Sequence, residues 1–214
     1  MSKNNQKILL SFLIIFSFYC AIKIGKSWDE GAELIKGKVT LDYLLSLGEV
    51  DNRSILIGYN REGYSTIYWS LLYFLTQIFP PQYQIQASHI INLIFSLSVI
   101  IGVGKLCKEL FNKKVGKLSF LILFFYPIFF GHMAMNNKDT ILALSHIWIT
   151  YLIFRYLKKH NIRIKTNKYI ISIGVLAAVG TGIQLVFLGS LIPIFLFTLY
   201  EIFLNKKIIN KDFD

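Results

Sequence analysis

Apolar runs long enough to cross a bilayer, separated by short basic or polar stretches, dominate this chain and restrict what it can fold into. A spanning helix needs about 20 mainly apolar residues, with about 17 a practical minimum. Six stretches meet that length: 8–25, 88–104, 118–135, 140–157, 169–187 and 188–204. The last two adjoin, and Gly180, Gly182 and Gly189 leave room for a tight turn between them. A further stretch at 65–79, STIYWSLLYFLTQIF, is stopped by Pro80 and Pro81. It is short for a span, and its Trp69, tyrosines and hydroxyls suit a helix lying in the membrane interface. The expected fold class is an all-α polytopic membrane protein. It would hold about six transmembrane helices and one or two juxtamembrane interfacial helices, in a single membrane domain over 1–214.

Composition agrees with this. The 214 residues are 54% hydrophobic and only 16% charged, more apolar surface than a soluble domain needs. A net charge of +11 would in a soluble protein point to nucleic acid. Here the basic residues cluster between apolar runs, where orientation in the bilayer accounts for them, and no nucleic-acid partner is expected. Cys20 and Cys107 are too few and too far apart for a metal motif and fall on opposite sides of the expected membrane, so no disulfide is expected. Lys3 and Lys7 precede ILLSFLIIFSFYCAIKIG, which is long for a signal peptide and lacks a small-x-small cleavage site. It is read as a retained anchor.

Charge decides how the loops are distributed. With 65–79 lying flat and the N-terminus inside, the cytoplasmic segments collect 16 of the 23 basic residues, among them Lys105, Lys108, Lys113, Lys114, Lys117, Arg155 and Lys158. The outer side collects eight of the twelve acids: Asp29, Glu30, Glu33, Asp42, Glu49, Asp51, Glu62 and Asp139. If 65–79 spanned, basic loops would lie on both faces. The flat arrangement is therefore expected, in a multi-pass protein of a bacterial plasma membrane. The outer loop over 26–86 is too long for a mere connector. Helical spacing over 29–48 offers Leu34, Val39, Leu41, Leu44, Leu45 and Leu47 to the membrane surface.

Two polar islands carry the candidate chemistry. The first is SWDEGAEL at 27–34, where Asp29 and Glu30 stand at the bilayer exit beneath Trp28. Low-dielectric surroundings strengthen a carboxylate as a general base, although a hydrated loop start would look the same. The second is GHMAMNNKD at 131–139. Asp139 fits a cap on the helix that begins at Thr140, and Lys138 fits either a side chain snorkelling to the headgroups or a partner for a lipid phosphate. His132 fits an interfacial histidine, and Asn136 and Asn137 fit plain turn formers. Tyr59 and Arg61 lie just before the interfacial helix, where they would line a pocket or be solvated. GVGKLC at 102–107 has no strand before it and reads as helix packing. His89, His146 and His160 are too scattered for a metal site.

Together these residues resemble the GT-C glycosyltransferases, in the branch of the protein O-mannosyltransferases, the lipid A aminoarabinose transferase and their bacterial relatives. In that superfamily the first span is followed by an acidic pair, as Asp29-Glu30 follows here, and by two juxtamembrane helices, like 31–47 and 65–79. One bacterial subgroup carries P-x-F-F-G-H-x-x-x-N-x-K-D after the third span. Pro127, Phe129, Phe130, Gly131, His132, Asn136, Lys138 and Asp139 resemble it, with Asn137 where a proline is expected. ASHIINLIF at 87–95 is similar to an RHLxN opening of the second span, with Ser88 in place of arginine.

The resemblance implies transfer of a sugar from a polyprenyl-phosphate donor to a lipid, glycan or protein acceptor on the outer face, with inversion at the anomeric carbon. Asp29, Glu30 and Asp139 would be the catalytic carboxylates. Lys138, His132, Asn136, Arg61 and Tyr59 would bind substrate. Asp29 and Asp139 would hold a divalent metal, magnesium or manganese, if one is used. Members of the superfamily run several hundred residues further, so the chain is expected to match the N-terminal catalytic module, as a fragment of a split gene, half of a two-chain enzyme whose remainder a second chain supplies, or a degenerate copy. The competing expectation is a non-catalytic membrane subunit or a small transporter. A transporter, however, places its ionisable residues within the spans near the midplane.

Overall fold

The structure is a computed structural model that describes residues 3–52, 66–158 and 166–211. Those residues form α-helices and connecting turns, with no strand among them. In chain order the helices are α1 (Lys3–Lys23), α2 (Glu30–Leu45), α3 (Ile67–Thr76), α4 (Gln84–Leu110), α5 (Lys113–Phe125), α6 (Pro127–His132), α7 (Asp139–Lys158), α8 (Thr166–Ile183) and α9 (Phe187–Lys211).

Among the described residues, three segments are long and apolar enough to cross a membrane: Pro81–Leu110, Asp139–Lys158 and Phe187–Leu204. Ile8–Lys23, Ile67–Thr76 and Asn167–Ile183 are shorter apolar helices. At 1.5 Å per residue, the ten residues of α3 extend about 15 Å, half the thickness of a hydrocarbon core. Its Tyr68, Trp69, Leu72 and Thr76 are buried on one face. α3 packs against α2, α4 and α8, the packing of an element docked onto the bundle.

Two expectations drawn from the sequence shift. The continuous helix over 118–135 is divided, because α5 ends at Phe125 and α6 starts at Pro127. Proline has no N–H to continue the ladder and forces the residue before it out of the helical region; Tyr126 sits at φ −69°, ψ 113°. The boundary between the last two apolar stretches falls at 184–186, a few residues earlier than expected. There the ring of Phe187 fills the space beside Gly180, where a Cβ would lie 2.3 Å from a ring carbon.

α4 is the central helix. It packs against α1, α3, α5 and α7, while α7 also meets α8 and α9. One buried apolar cluster joins α1, α4 and α5 through Leu13, Leu93, Ile100 and Phe124, and reaches Met133. A second ties α3 to α7 and α8 through Trp69, Leu72, Ile141 and Ile183. A third joins α7 to α9 through Ile149, Ile153, Phe187 and Leu191. The large apolar side chains left exposed, such as Phe12 and Ile15 of α1 and Phe203 of α9, fit lipid contact.

Candidate active site

α4 carries a polar stripe inside its apolar length. His89, Asn92 and Ser96 stand at i, i+3 and i+7, which places them on one helical face, and none is exposed to solvent. A buried polar group needs a partner, so these three side chains determine what can pack against α4 at this end. Nδ1 of His89 donates to the Ala21 carbonyl (3.0 Å) near the end of α1, and its Nε2 meets Oε1 of Glu30 at 2.6 Å. Asn92 donates to the Met133 carbonyl (3.1 Å) and accepts from the Tyr68 hydroxyl (3.3 Å). Ser96 donates to the same Met133 carbonyl at 2.7 Å. One face of one helix therefore anchors the end of α1, the first turn of α2, helix α3 and the turn after α6.

This stripe brings the two polar islands together. Glu30 begins α2 fully buried, with Oε1 on His89 and Oε2 accepting the Ser27 N–H at 2.6 Å. One turn further, Glu33 accepts from Nδ2 of Asn137 at 2.8 Å. That contact spans 104 residues of chain and joins SWDEGAEL directly to GHMAMNNKD. Burial pushes the Glu33 carboxyl up from its ordinary value. The Asn137 hydrogen bond opposes this, and the nearby Asp29 and Glu30 charges add to it. Asn137 is itself buried, and its Oδ1 has no hydrogen-bond partner among the described residues.

The remaining candidates occupy the rim. Asp29 is the exposed N-cap residue of α2, beside an exposed Trp28. Asp139 is exposed at the start of α7 and is held reciprocally by Asn136. The Asn136 amide donates to Oδ2 of Asp139 (3.0 Å), and its Oδ1 accepts the Asp139 N–H (3.0 Å). Asn136 thus behaves as a cap for α7. Lys138 is half-buried in the same turn, and His132 is exposed at the end of α6. Tyr59 and Arg61 lie outside the described residues.

Behind the acidic turn, α2 crosses α3 very closely. A Cβ on Gly37 would stand 2.3 Å from the Trp69 carbonyl oxygen, so only glycine admits this approach. Lys36 lays its ammonium 5.3 Å from the centre of the Trp69 ring, and Thr40 bonds Thr66 at 2.7 Å. These contacts hold the second and third turns of α2 against α3.

The described residues contain no group of three or more His, Cys, Asp or Glu placed to hold a metal ion. Both oxygens of Glu30 are engaged, and Glu33 and Asp139 each accept from an asparagine.

Sequence reasoning gave no site role to His89, Asn92, Ser96, Glu33 or Asn137, although His89 and Asn92 stand in the ASHIINLIF stretch. The first three were signalled by their helical spacing within a span. Glu33 was signalled by standing one turn after Glu30 on a predicted helix. The partner of Asn137 had no local signal.

A family model described as dolichyl-phosphate-mannose-protein mannosyltransferase matches residues 67–212. The matched segment includes the α4 stripe, Lys138 and Asp139, and begins after Asp29 and Glu30. No curated protein and no solved structure matches the chain. With more than half of its length matched and a helical fold rich in membrane-length apolar segments, the chain belongs to the dolichyl-phosphate-mannose-protein mannosyltransferase family and is a membrane glycosyltransferase.

Proposed function

We propose that the chain transfers a sugar from a polyprenyl-phosphate donor to a hydroxyl acceptor at the outer membrane surface, using the rim formed by Asp29, Lys138 and Asp139. The observation that carries this reading is the Glu33–Asn137 hydrogen bond. It locks the acidic turn of α2 to the lysine-bearing turn before α7, so a base and a cation share one end of the bundle. Asp29, exposed at that end, takes the proton of the acceptor hydroxyl. The hydroxyl oxygen then bonds to the anomeric carbon from the face opposite the phosphate. The carbon–oxygen bond to phosphate breaks, and polyprenyl phosphate leaves with the electron pair and its negative charge. Lys138 offsets that charge as it develops. Asp139 orients the acceptor.

Within this reading Glu30 acts from behind. Its buried pairing with His89 fixes the backbone from which Asp29 projects, which makes it a positioning residue. The donor's isoprenoid tail lies in the bilayer and its phosphate at the interface, where this rim stands.

The test is Asp29→Asn in the membrane-inserted protein, assayed for transfer from a polyprenyl-phosphate sugar. The expected result is loss of transfer with donor binding and helicity retained. Undiminished turnover in that variant would remove Asp29 as the base.

A further inference from the structure

A second built feature lies at the other end of the bundle. α1, α4 and α5 border a groove of about 540 Å³ with Lys105, Lys108, Lys113 and Lys117 among its lining residues. Its wall is otherwise mostly apolar, with Leu9, Leu13, Phe120 and Leu121 along it. Lys105 and Lys108 follow His89 on α4 by 16 and 19 residues, which places them about 24–28 Å from the acidic site along the helix. The groove is therefore close to one membrane thickness from the proposed reaction.

α4 and α5 approach so closely at Gly104 and Gly116 that a Cβ on Gly116 would stand 2.6 Å from the Gly104 carbonyl oxygen. All four lysines are exposed. Among α1, α4 and α5 the sequence contains one acid, Glu109. That acid is held on the α7 side by Arg155 (2.8 Å) and Lys158 (3.4 Å). Lys105 also stacks 5.0 Å from the centre of the Trp148 ring. The helices that wall the groove thus carry a clear excess of basic over acidic side chains. Exposed apolar side chains flank it, Phe12 on α1 and Leu118 and Ile122 on α5, so it opens onto surface that fits acyl chains.

An occupant must therefore combine an anionic head with an apolar tail. We propose that this groove holds an anionic phospholipid of the leaflet at that end of the bundle, its phosphate among the lysines and an acyl chain along the apolar wall. Juxtamembrane lysines attract anionic headgroups individually. A groove that also receives the chain converts this attraction into a defined site.

The experiment reconstitutes the full chain in phosphatidylcholine vesicles and measures immobilisation of spin-labelled phosphatidylglycerol against spin-labelled phosphatidylcholine. The expected result is a several-fold preference for phosphatidylglycerol. Lys108→Gln with Lys113→Gln should lower that preference at least about twofold. Lys114→Gln with Lys168→Gln removes the same charge at the same end but outside the groove, and should leave the preference unchanged. Leu121→Trp fills the groove without altering charge and should also lower it. Equal immobilisation of the two lipids would overturn the proposal. So would equal losses from the two lysine pairs, an unaffected Leu121→Trp, or displacement of phosphatidylglycerol by equimolar polyprenyl phosphate.

Discussion

Nε2 of His89 lies 2.6 Å from Oε1 of Glu30, with both side chains closed off from solvent, and this contact joins the central helix to the first turn of α2. Nδ1 of the same ring faces a backbone carbonyl, which can only accept, so Nδ1 carries a hydrogen. The ring thus bridges a backbone carbonyl near the end of α1 and the Glu30 carboxyl at the start of α2.

Removing one partner of such a pair strands the other in a low-dielectric setting, whereas replacing both with apolar groups can be nearly neutral. His89→Leu and Glu30→Met singly are expected to cost about 3–5 kcal/mol each, and the double variant far less than their sum. Unfolding of the four proteins by denaturing detergent in mixed micelles measures the cycle. Additive losses would mean that the two side chains act independently.

The Asn137–Glu33 bond is the direct link between the two polar islands. Asn137→Ala removes the donor and should cost about 1–3 kcal/mol, depending on the charge Glu33 carries. An effect on transfer is expected as well, because small displacements of positioned groups reduce rate steeply. A fall in kcat on the order of tenfold with KM nearly unchanged is the expected split. A change in KM alone would assign Asn137 to binding.

The raised pKa of Glu33 sets the sign of a pH effect. Between the ordinary carboxyl value and the raised one, the folded protein keeps a proton that the unfolded chain releases. Stability therefore falls as pH rises through that window and carries no such penalty below it. Glu33→Gln keeps an oxygen acceptor for Asn137 and cannot ionise. It should match the wild type at low pH and exceed it in thermal midpoint above the window. A wild-type midpoint that rises relative to Glu33→Gln across the same range would show that the carboxylate is held more strongly than burial penalises it.

The helical, membrane-type fold was legible because apolar length and proline position are local properties of the chain. Pro80-Pro81 marked the end of α3, whereas the break at Pro127 was passed over because apolar residues continue on both sides of it. The acidic pair and the KD dipeptide were found as exceptions to apolar surroundings. Charge counting led only to the expectation that they share one face, and the residues that join them were not visible. His89 looked like an isolated histidine because its partner is 59 residues away, in a different element. Asn137 looked like a turn former because neither Glu33 nor the buried position it occupies can be inferred from neighbouring residues.

The turn before α7 places two different jobs side by side, and substitutions should separate them. Asn136 grips Asp139 at both the backbone N–H and the carboxylate, the arrangement of a helix cap. Asn136→Ala should cost about 0.5–2 kcal/mol of stability. Lys138, in the same turn, is the proposed partner of the donor phosphate, and a cation there acts on substrate more than on the fold. Lys138→Gln should leave the thermal midpoint near that of the wild type while raising KM for the polyprenyl-phosphate sugar and lowering kcat as the leaving-group charge loses its partner. Lys138→Arg keeps the charge and should recover part of both. Steady-state kinetics on the three variants, alongside their melting curves, decides the matter. A Lys138→Gln protein that loses stability while its KM stays fixed would return Lys138 to a structural role and leave the phosphate without a cation in this turn.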